Sequence, residues 1–439
     1  MSDSHSPHDP TAARADRAAE VAAATDADVA LEGSVAVDTA AGARVVTPPP
    51  APEENRWSRA LREIATGNAI ISVLAVILAL LVGAIMIAAT DENVQATSAY
   101  FFARPGDTLA AIWESVSGAY ASFFQGAIYN FRRPEFATGI KPLTETLTFA
   151  TPLIAAGLGV ALAFRVGMFN IGGRGQMLVA AAAAGWVAFS FDLPWGVHMV
   201  IALVAGVVAG AIWAGIAGVL KARTGAHEVI VTIMLNFVVL ALLGYLTSTR
   251  LHVPETLHTR AIRSGALPRV ADVLPAFHGS AANATLVLAI VTAITLGWFL
   301  FRTRLGFEVR AVGLQPRAAE YAGANVARIT WQALTLSGAI AGLGGLNFVI
   351  GYKHYYEEGF ATGAGFLGIA VALVGRSHPL GIVVAALLFA TLSQGGLAVN
   401  ALVPKQMVDV LQAVVILAVA TSVPEVRRLL RGAMRSAER

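Results

Sequence analysis

Hydrophobic residues in this chain come in long runs rather than alternating with polar ones. The clearest run is 68–90, which carries no charge and is rich in Ile, Leu, Val and Ala. A helix crosses about 30 Å of hydrocarbon in roughly 20 residues, so each such run predicts a transmembrane helix. Further low-charge runs cover 143–164, 176–191, 197–220, 229–248, 284–301, 329–351, 363–375, 380–400 and 407–423. The pattern predicts an all-α, polytopic membrane protein of about ten transmembrane helices. The runs 176–191 and 363–375 are the shortest and the richest in Ala or Gly. Two connections, 91–142 and 249–283, are long. In the first, the apolar positions within 108–113 and 120–124 predict a short amphipathic helix at the membrane surface, serving either as an external docking surface or as plain structure.

Composition excludes most alternatives. Hydrophobic residues make up 56% of the 439 and charged residues 13%, against about 25% charged in soluble domains. Mean hydropathy is +0.65. A soluble protein this apolar could not cover its surface, so soluble enzyme classes fall away. There is no cysteine, hence no thiolate nucleophile and no disulfide framework.

The net charge of +3 hides two different parts. Residues 1–55 carry ten acids against Arg14, Arg17 and Arg44, while the rest carries 28 basic and 18 acidic residues. The first part is rich in Ala, Asp and Thr, ends in a proline run over 48–52, and has almost no large apolar residue to offset ordering entropy. Its acidic start lacks the basic and apolar regions of a signal peptide. We expect residues 1–64 to be a disordered cytoplasmic tail, 65–423 the transmembrane domain, and 424–439 a basic cytoplasmic tail. With the N-terminus inside, eighteen of the basic residues after 55 fall in cytoplasmic segments and ten outside, as the positive-inside rule requires. The short loops holding Lys221, Arg223, Arg302 and Arg304 weigh most.

Candidate chemistry is sparse. No Gly-Lys pair exists, so the chain carries no P-loop. The histidines lack metal-ligand spacing and read as solvated or interfacial. The acids nearest the spans, Glu145, Glu228 and Asp409, sit at span ends, whereas ion coupling calls for acids at depth. What lies within or beside the spans is neutral: Asn170, Gln176, Asn236, Asn347, Gln394, Asn400 and Gln412, of which Asn170, Gln176, Asn236, Asn347 and Gln394 are the favoured candidates for a solute path. A buried amide needs a hydrogen bond or a wet cavity. Each amide alone serves equally well as glue between helices; as a group they suit a hydrated path for a neutral polar solute.

Two glycine-dense segments, 169–176 and 359–368, disfavour continuous helix. They occupy matching places in spans 2–5 and 7–10, whose directions across the membrane are opposed, which is the parity of an inverted repeat. The longest inner loop, 305–328, predicts one short exposed helix, with Pro316 in its first turn and Gly323 as its C-terminal cap. Arg317, Glu320 and Arg328 would rim it as a docking site with Tyr321 as an anchor, or it simply connects two spans.

At these residues the chain resembles a known family. The segment 167–176, GMFNIGGRGQ, is similar to a signature of permease subunits of nucleoside and simple-sugar ABC importers, within the branched-chain amino acid and ribose permease group. Segments 227–236, 310–324 and 365–375 fit as well, and the resemblance spans 65–425 in order. It departs at Arg174, where an acid is frequent, and at His227, where Asn is frequent. The resemblance implies an importer in the bacterial plasma membrane, with both termini cytoplasmic. It implies an ABC ATPase subunit that uses the ATP, a second permease subunit, an external solute-binding lipoprotein, and no cofactor or nucleic acid on this chain. By the same resemblance 316–323 is the coupling helix, carrying Pro316, Arg317, Ala319, Glu320, Tyr321 and Gly323. Nucleosides are the expected solute, with simple sugars such as ribose or galactose as the alternative. The rivals from other classes are an ion-coupled secondary transporter and a membrane enzyme, the latter disfavoured by the lack of any catalytic constellation at one depth.

Overall fold

The computed structural model describes residues 68–400, apart from 257, 275, 276, 358, 361 and 362, together with 409, 410, 413 and 414. The acidic N-terminal tail, most of the 407–423 run and the basic C-terminal tail lie outside these residues. The described chain is helical: α1 (Asn68–Thr90), α2 (Glu92–Ser98), α3 (Pro105–Ala127), α4 (Phe136–Gly139), α5 (Lys141–Arg165), α6 (Gly173–Ser190), α7 (Trp195–Thr224), α8 (Glu228–Leu246), α9 (Val270–Val273), α10 (Thr285–Arg302), α11 (Arg304–Leu314), α12 (Pro316–Tyr321), α13 (Val326–Leu346), α14 (Ala364–Val374) and α15 (Pro379–Val399). Wider π-type turns extend α8 through Leu251 and α13 through Lys353. Among the described residues six helices are long and apolar enough to cross a membrane: α5, α7, extended α8, α10, extended α13 and α15.

Three expectations need correction. The 363–375 run is not a full span. Its helix α14 has 11 residues, about 16 Å of rise, roughly half the hydrocarbon core. The glycines before it break the chain at depth, as Gly363 adopts φ +90° at the helix start. The surface helix expected within 91–142 is the 23-residue α3. It runs back along α1, with the Ser115 hydroxyl donating to Asp91 and the Tyr120 hydroxyl to the Leu80 carbonyl. It then meets the end of α15, where Phe123 lies against Gly395 and Gly126 against Ala398. The loop 305–328 holds two helices, because α11 precedes α12.

The halves pack as the inverted repeat requires. α5 and α13 lie antiparallel, joined by Ser337 Oγ to the Gly159 carbonyl and Asn347 Nδ2 to the Thr148 carbonyl. α5 packs on α14 and α15 as α13 packs on α6 and α7, so exchanging the halves exchanges the contacts. The N-termini of α6 and α14 meet, with Gly365 against the backbone of Arg174. Most of the second half's fourth span lies outside the described residues.

Apolar transfer gives no force between helices in lipid, so close packing of small residues takes its place. On α7, Gly206, Gly210, Ala214 and Gly218 recur every four residues and face Gly338, Gly342, Leu346 and Trp331 of α13. A Cβ on Gly338 would collide with Ala214 and the Gly210 carbonyl, whereas nothing lies within 4 Å of one on Gly118. Overpacking costs about 1–3 kcal/mol. Gly338→Ala should therefore lower the unfolding temperature of the purified protein by a few degrees, while Gly118→Ala should hold or raise it. Thermal melts in detergent test this, and equal melting of the two variants would refute the packing assignment.

Candidate functional site

The break between α5 and α6 creates a problem for the backbone. The segment 166–172, between α5 and α6, is irregular, and Val166, Met168, Asn170 and Gly172 within it are buried. Neighbouring amides bond to its backbone. Asn170 Oδ1 accepts from the Gly172 N–H at 2.9 Å and from Gln176 Nε2 at 2.9 Å. Asn170 Nδ2 donates to Gln176 Oε1 at 3.0 Å and Ser337 Oγ at 2.7 Å. The Ser337 hydroxyl in turn donates a hydrogen bond to the Gly159 carbonyl. One cyclic amide pair thus ties α5, α6 and α13 together. Asn236 serves the same segment from α8: its Oδ1 accepts from Gly175 N–H at 2.8 Å and its Nδ2 donates to the Ile171 carbonyl at 3.0 Å.

A second node holds the C-terminal end of α13. Asn347 Oδ1 accepts from Asn283 Nδ2 at 3.0 Å and from Thr285 Oγ1 at 2.8 Å, and its Nδ2 reaches the Thr148 carbonyl at 3.2 Å. Fractional exposure is 0% for Asn170, 1% for Gln176, 6% for Asn236 and 1% for Asn347. In this conformation these four amides face protein and are occupied by protein. Gln394 is separate, half-buried on α15 where α3 crosses. Sequence reasoning passed over Ser337, Asn283 and Thr285. Their one signal was a polar residue within or beside an apolar run.

On the face with Arg165 and Arg302, α11 and α12 form a rigid arm. Gly306 lies against the Phe299 carbonyl, and Gly313 against the Arg165 carbonyl at the end of α5, each too close for a Cβ. Extended backbone at Gln315 and Pro316 in the first turn start α12, and Gly323, at φ +88°, ends it. Ala319 is buried; Arg317, Glu320 and Gly323 are exposed, and Tyr321 is 95% exposed. Asn325 then caps α13 by accepting from the Arg328 N–H at 2.9 Å. An exposed helix of six residues, joined to a span end by backbone contact, can pass a push from outside the membrane into α5 and α13.

On the opposite face the long connection folds over the helix ends. Thr259, Ile262 and Leu267 N–H groups donate to the carbonyls of Tyr356, His354 and Ile350 at 2.7–2.9 Å. His198, expected to be interfacial, is instead fully buried. Its Nδ1 lies 2.6 Å from Ser264 Oγ and its Nε2 3.0 Å from the Val187 carbonyl. Burial, reinforced by the nearby Arg269 charge, holds the His354 imidazole below its ordinary range. Beside it Trp195, Ile262, Arg269 and Asp272 line an open cavity of about 540 Å³. No group of three metal-ligating side chains occurs among the described residues.

Comparison with known proteins accounts for this architecture. Residues 143–420 match the family described as the branched-chain amino acid transport system / permease component. The guanosine ABC transporter permease NupP of Bacillus subtilis is 40% identical over 63% of this chain and 80% of its own length. The nucleoside ABC transporter permease NupB of Lactococcus lactis is 36% identical over 64% and 79%. The glucose ABC transporter permease TsgB13 of Haloferax volcanii is 36% identical over 64% and 76%. No solved structure matches. With a membrane-spanning body that halves into opposed repeats and a family match across most of its length, the chain belongs to the permease-component family of ABC transport systems.

Proposed function

We propose that this chain forms half of the path by which an ABC importer brings nucleosides across a bacterial plasma membrane, with both of its termini cytoplasmic. The observation that carries the solute is the 40% identity to a guanosine permease, with a nucleoside permease at 36%. Relatives named NupP and NupQ come from one organism, at 40% and 29% identity, which supports pairing with a sister permease rather than with a second copy. The ATPase subunit binds and hydrolyses ATP and grips α12 through Tyr321, Arg317 and Glu320, with Pro316 and Gly323 setting the helix ends and Ala319 seating it. The solute-binding lipoprotein docks on the opposite face, where 252–284 covers the helix ends.

The buried amides then act at the conformational step. Alternation between outward- and inward-open states shifts a population by differential affinity for nucleotide. Asn170, Gln176 and Asn236 hold the start of α6 in one arrangement, and their hydrogen bonds exchange when the path opens. Amides suit that exchange, because each can donate and accept in both arrangements. Gln394 would face the path from α15.

A specific observation favours one second reading: the 36% identity to a glucose permease. Guanosine uptake by cells carrying the whole system distinguishes the two. Excess unlabelled nucleoside should abolish labelled guanosine uptake and a hundredfold excess of glucose should leave it unchanged; the reverse result would assign a sugar.

Gly323→Val places a β-branched residue at φ +88° and strains the end of α12 by about 1–3 kcal/mol. Together with Tyr321→Ala it should reduce uptake at least tenfold while membrane insertion is unchanged. Uptake and membrane abundance measured side by side test this, and normal uptake by both variants would remove α12 from the coupling role.

The absence of native cysteine allows a clean accessibility test. A single cysteine at position 321 should react quickly with a membrane-impermeant maleimide in inside-out vesicles lacking the ATPase, and slowly once the ATPase is bound. At position 170 it should stay unreactive in the resting protein. Fast labelling at 170 without nucleotide would contradict the buried arrangement.

A further inference from the structure

Phe301, in the last turn of α10, is held between two guanidinium groups. The Cζ atoms of Arg165 and Arg310 each lie 5.4 Å from its ring centroid, and His378 stacks on the same ring with centroids 5.6 Å apart. Arg165 uses Nε and Nη2 on the Ser377 carbonyl, at 3.3 and 3.0 Å. Arg310 Nε is buried and has no hydrogen-bond partner. Two like charges beside one ring repel each other. Among the described residues no carboxylate pairs with them: the ion pairs there are Lys221–Glu228, Arg269–Asp272, Arg304–Glu308 and Lys353–Glu357. The guanidinium fork matches phosphate and carboxylate geometry, so the site is arranged for an anion that the described residues do not supply.

The surroundings identify which anion fits. On α10, Val287, Val291, Ile294, Trp298 and Phe301 are all exposed. Their steps of four, three, four and three residues keep them on one face. The stripe is about 21 Å long, longer than the roughly 15 Å that half the hydrocarbon core occupies. It ends at the arginine pair. Phe307, three residues before Arg310 on α11, is exposed beside it. A carboxylate from a soluble partner would match the charge and leave the stripe bare. A molecule with a phosphate at one end and alkyl chains at the other matches both.

We propose that Arg165 and Arg310 bind the phosphate of an anionic phospholipid whose acyl chains lie along the 287–301 face of α10. Basic pockets between span ends are the setting in which such headgroups bind. The four segments that meet at Phe301 are the end of α5, the end of α10, α11 and the turn before α15. The lipid therefore neutralises the repulsion at the joint from which the arm α11–α12 extends. This reading is independent of the solute.

Native mass spectrometry of the full chain released from nanodiscs tests it, with phosphatidylglycerol and phosphatidylcholine as the probes. The native protein should retain phosphatidylglycerol in preference to phosphatidylcholine. Arg310→Gln, which leaves the Arg165 bonds to Ser377 in place, should weaken that retention roughly five- to tenfold. The Arg165→Lys, Arg310→Lys pair keeps the charge and should stay within a few-fold of native. A photoreactive side chain at position 298 should label lipid. Equal retention of the two lipids, no change in Arg310→Gln, or labelling confined to another protein chain would each overturn the proposal; the last would make this face a subunit contact.

Discussion

Hydrocarbon offers no water to an unpaired N–H or C=O, so a chain that breaks its helices inside the membrane must satisfy the exposed backbone itself. This protein breaks them twice, over 166–172 and before α14, and its buried amides answer the first break. Asn170 and Asn236 serve the backbone of 171, 172 and 175 directly. Gln176 and Ser337 complete the valence of Asn170. A buried polar group left unmatched costs about 1–3 kcal/mol. The hydrogen-bonded network therefore stabilises one arrangement and raises the barrier to leaving it, which suits a carrier that must move only when driven.

The same economy governs the proposed connection to the ATPase subunit. α11 does not hang from α10 as a loop; it lies on the end of α5 with backbone against backbone at Gly313 and Arg165. Contact without intervening side chains transmits displacement with little slack. α12 projects from that platform with one residue buried and its rim exposed. Charge accumulates at the joint, where Arg165 and Arg310 share Phe301.

Spans whose length the bilayer dictates were legible in the chain. The run 143–164 became Lys141–Arg165, 284–301 became Thr285–Arg302, and 68–90 needed no change at all. α12 was legible too, because Pro316 and Gly323 act through local backbone geometry. α11 was not: Arg304, Glu308 and Arg310 interrupt its apolar positions, and 11 residues give too few turns for periodicity to show. α3 was read too short for a similar reason, since Asp107 and Glu114 break its apolar face. Of the candidate site, the amides at depth could be picked out, but not their partners. Asn170 meets Ser337 across 167 residues of chain, and Asn347 meets Thr148 across 199. Such pairings arise only when the two halves pack. His198 was misread because its partner, Ser264, comes from the long connection that folds back over it.

The central claim is that this chain moves its solute only when an ATP-hydrolysing partner acts through α12. Proteoliposomes loaded with ATP, carrying the permease pair with or without the ATPase subunit, test it most directly when labelled guanosine and binding protein are supplied outside. The account expects accumulation above the outside concentration only when the ATPase is present, and only leak without it. Accumulation by the permease pair alone, sustained by a proton or sodium gradient, would contradict it.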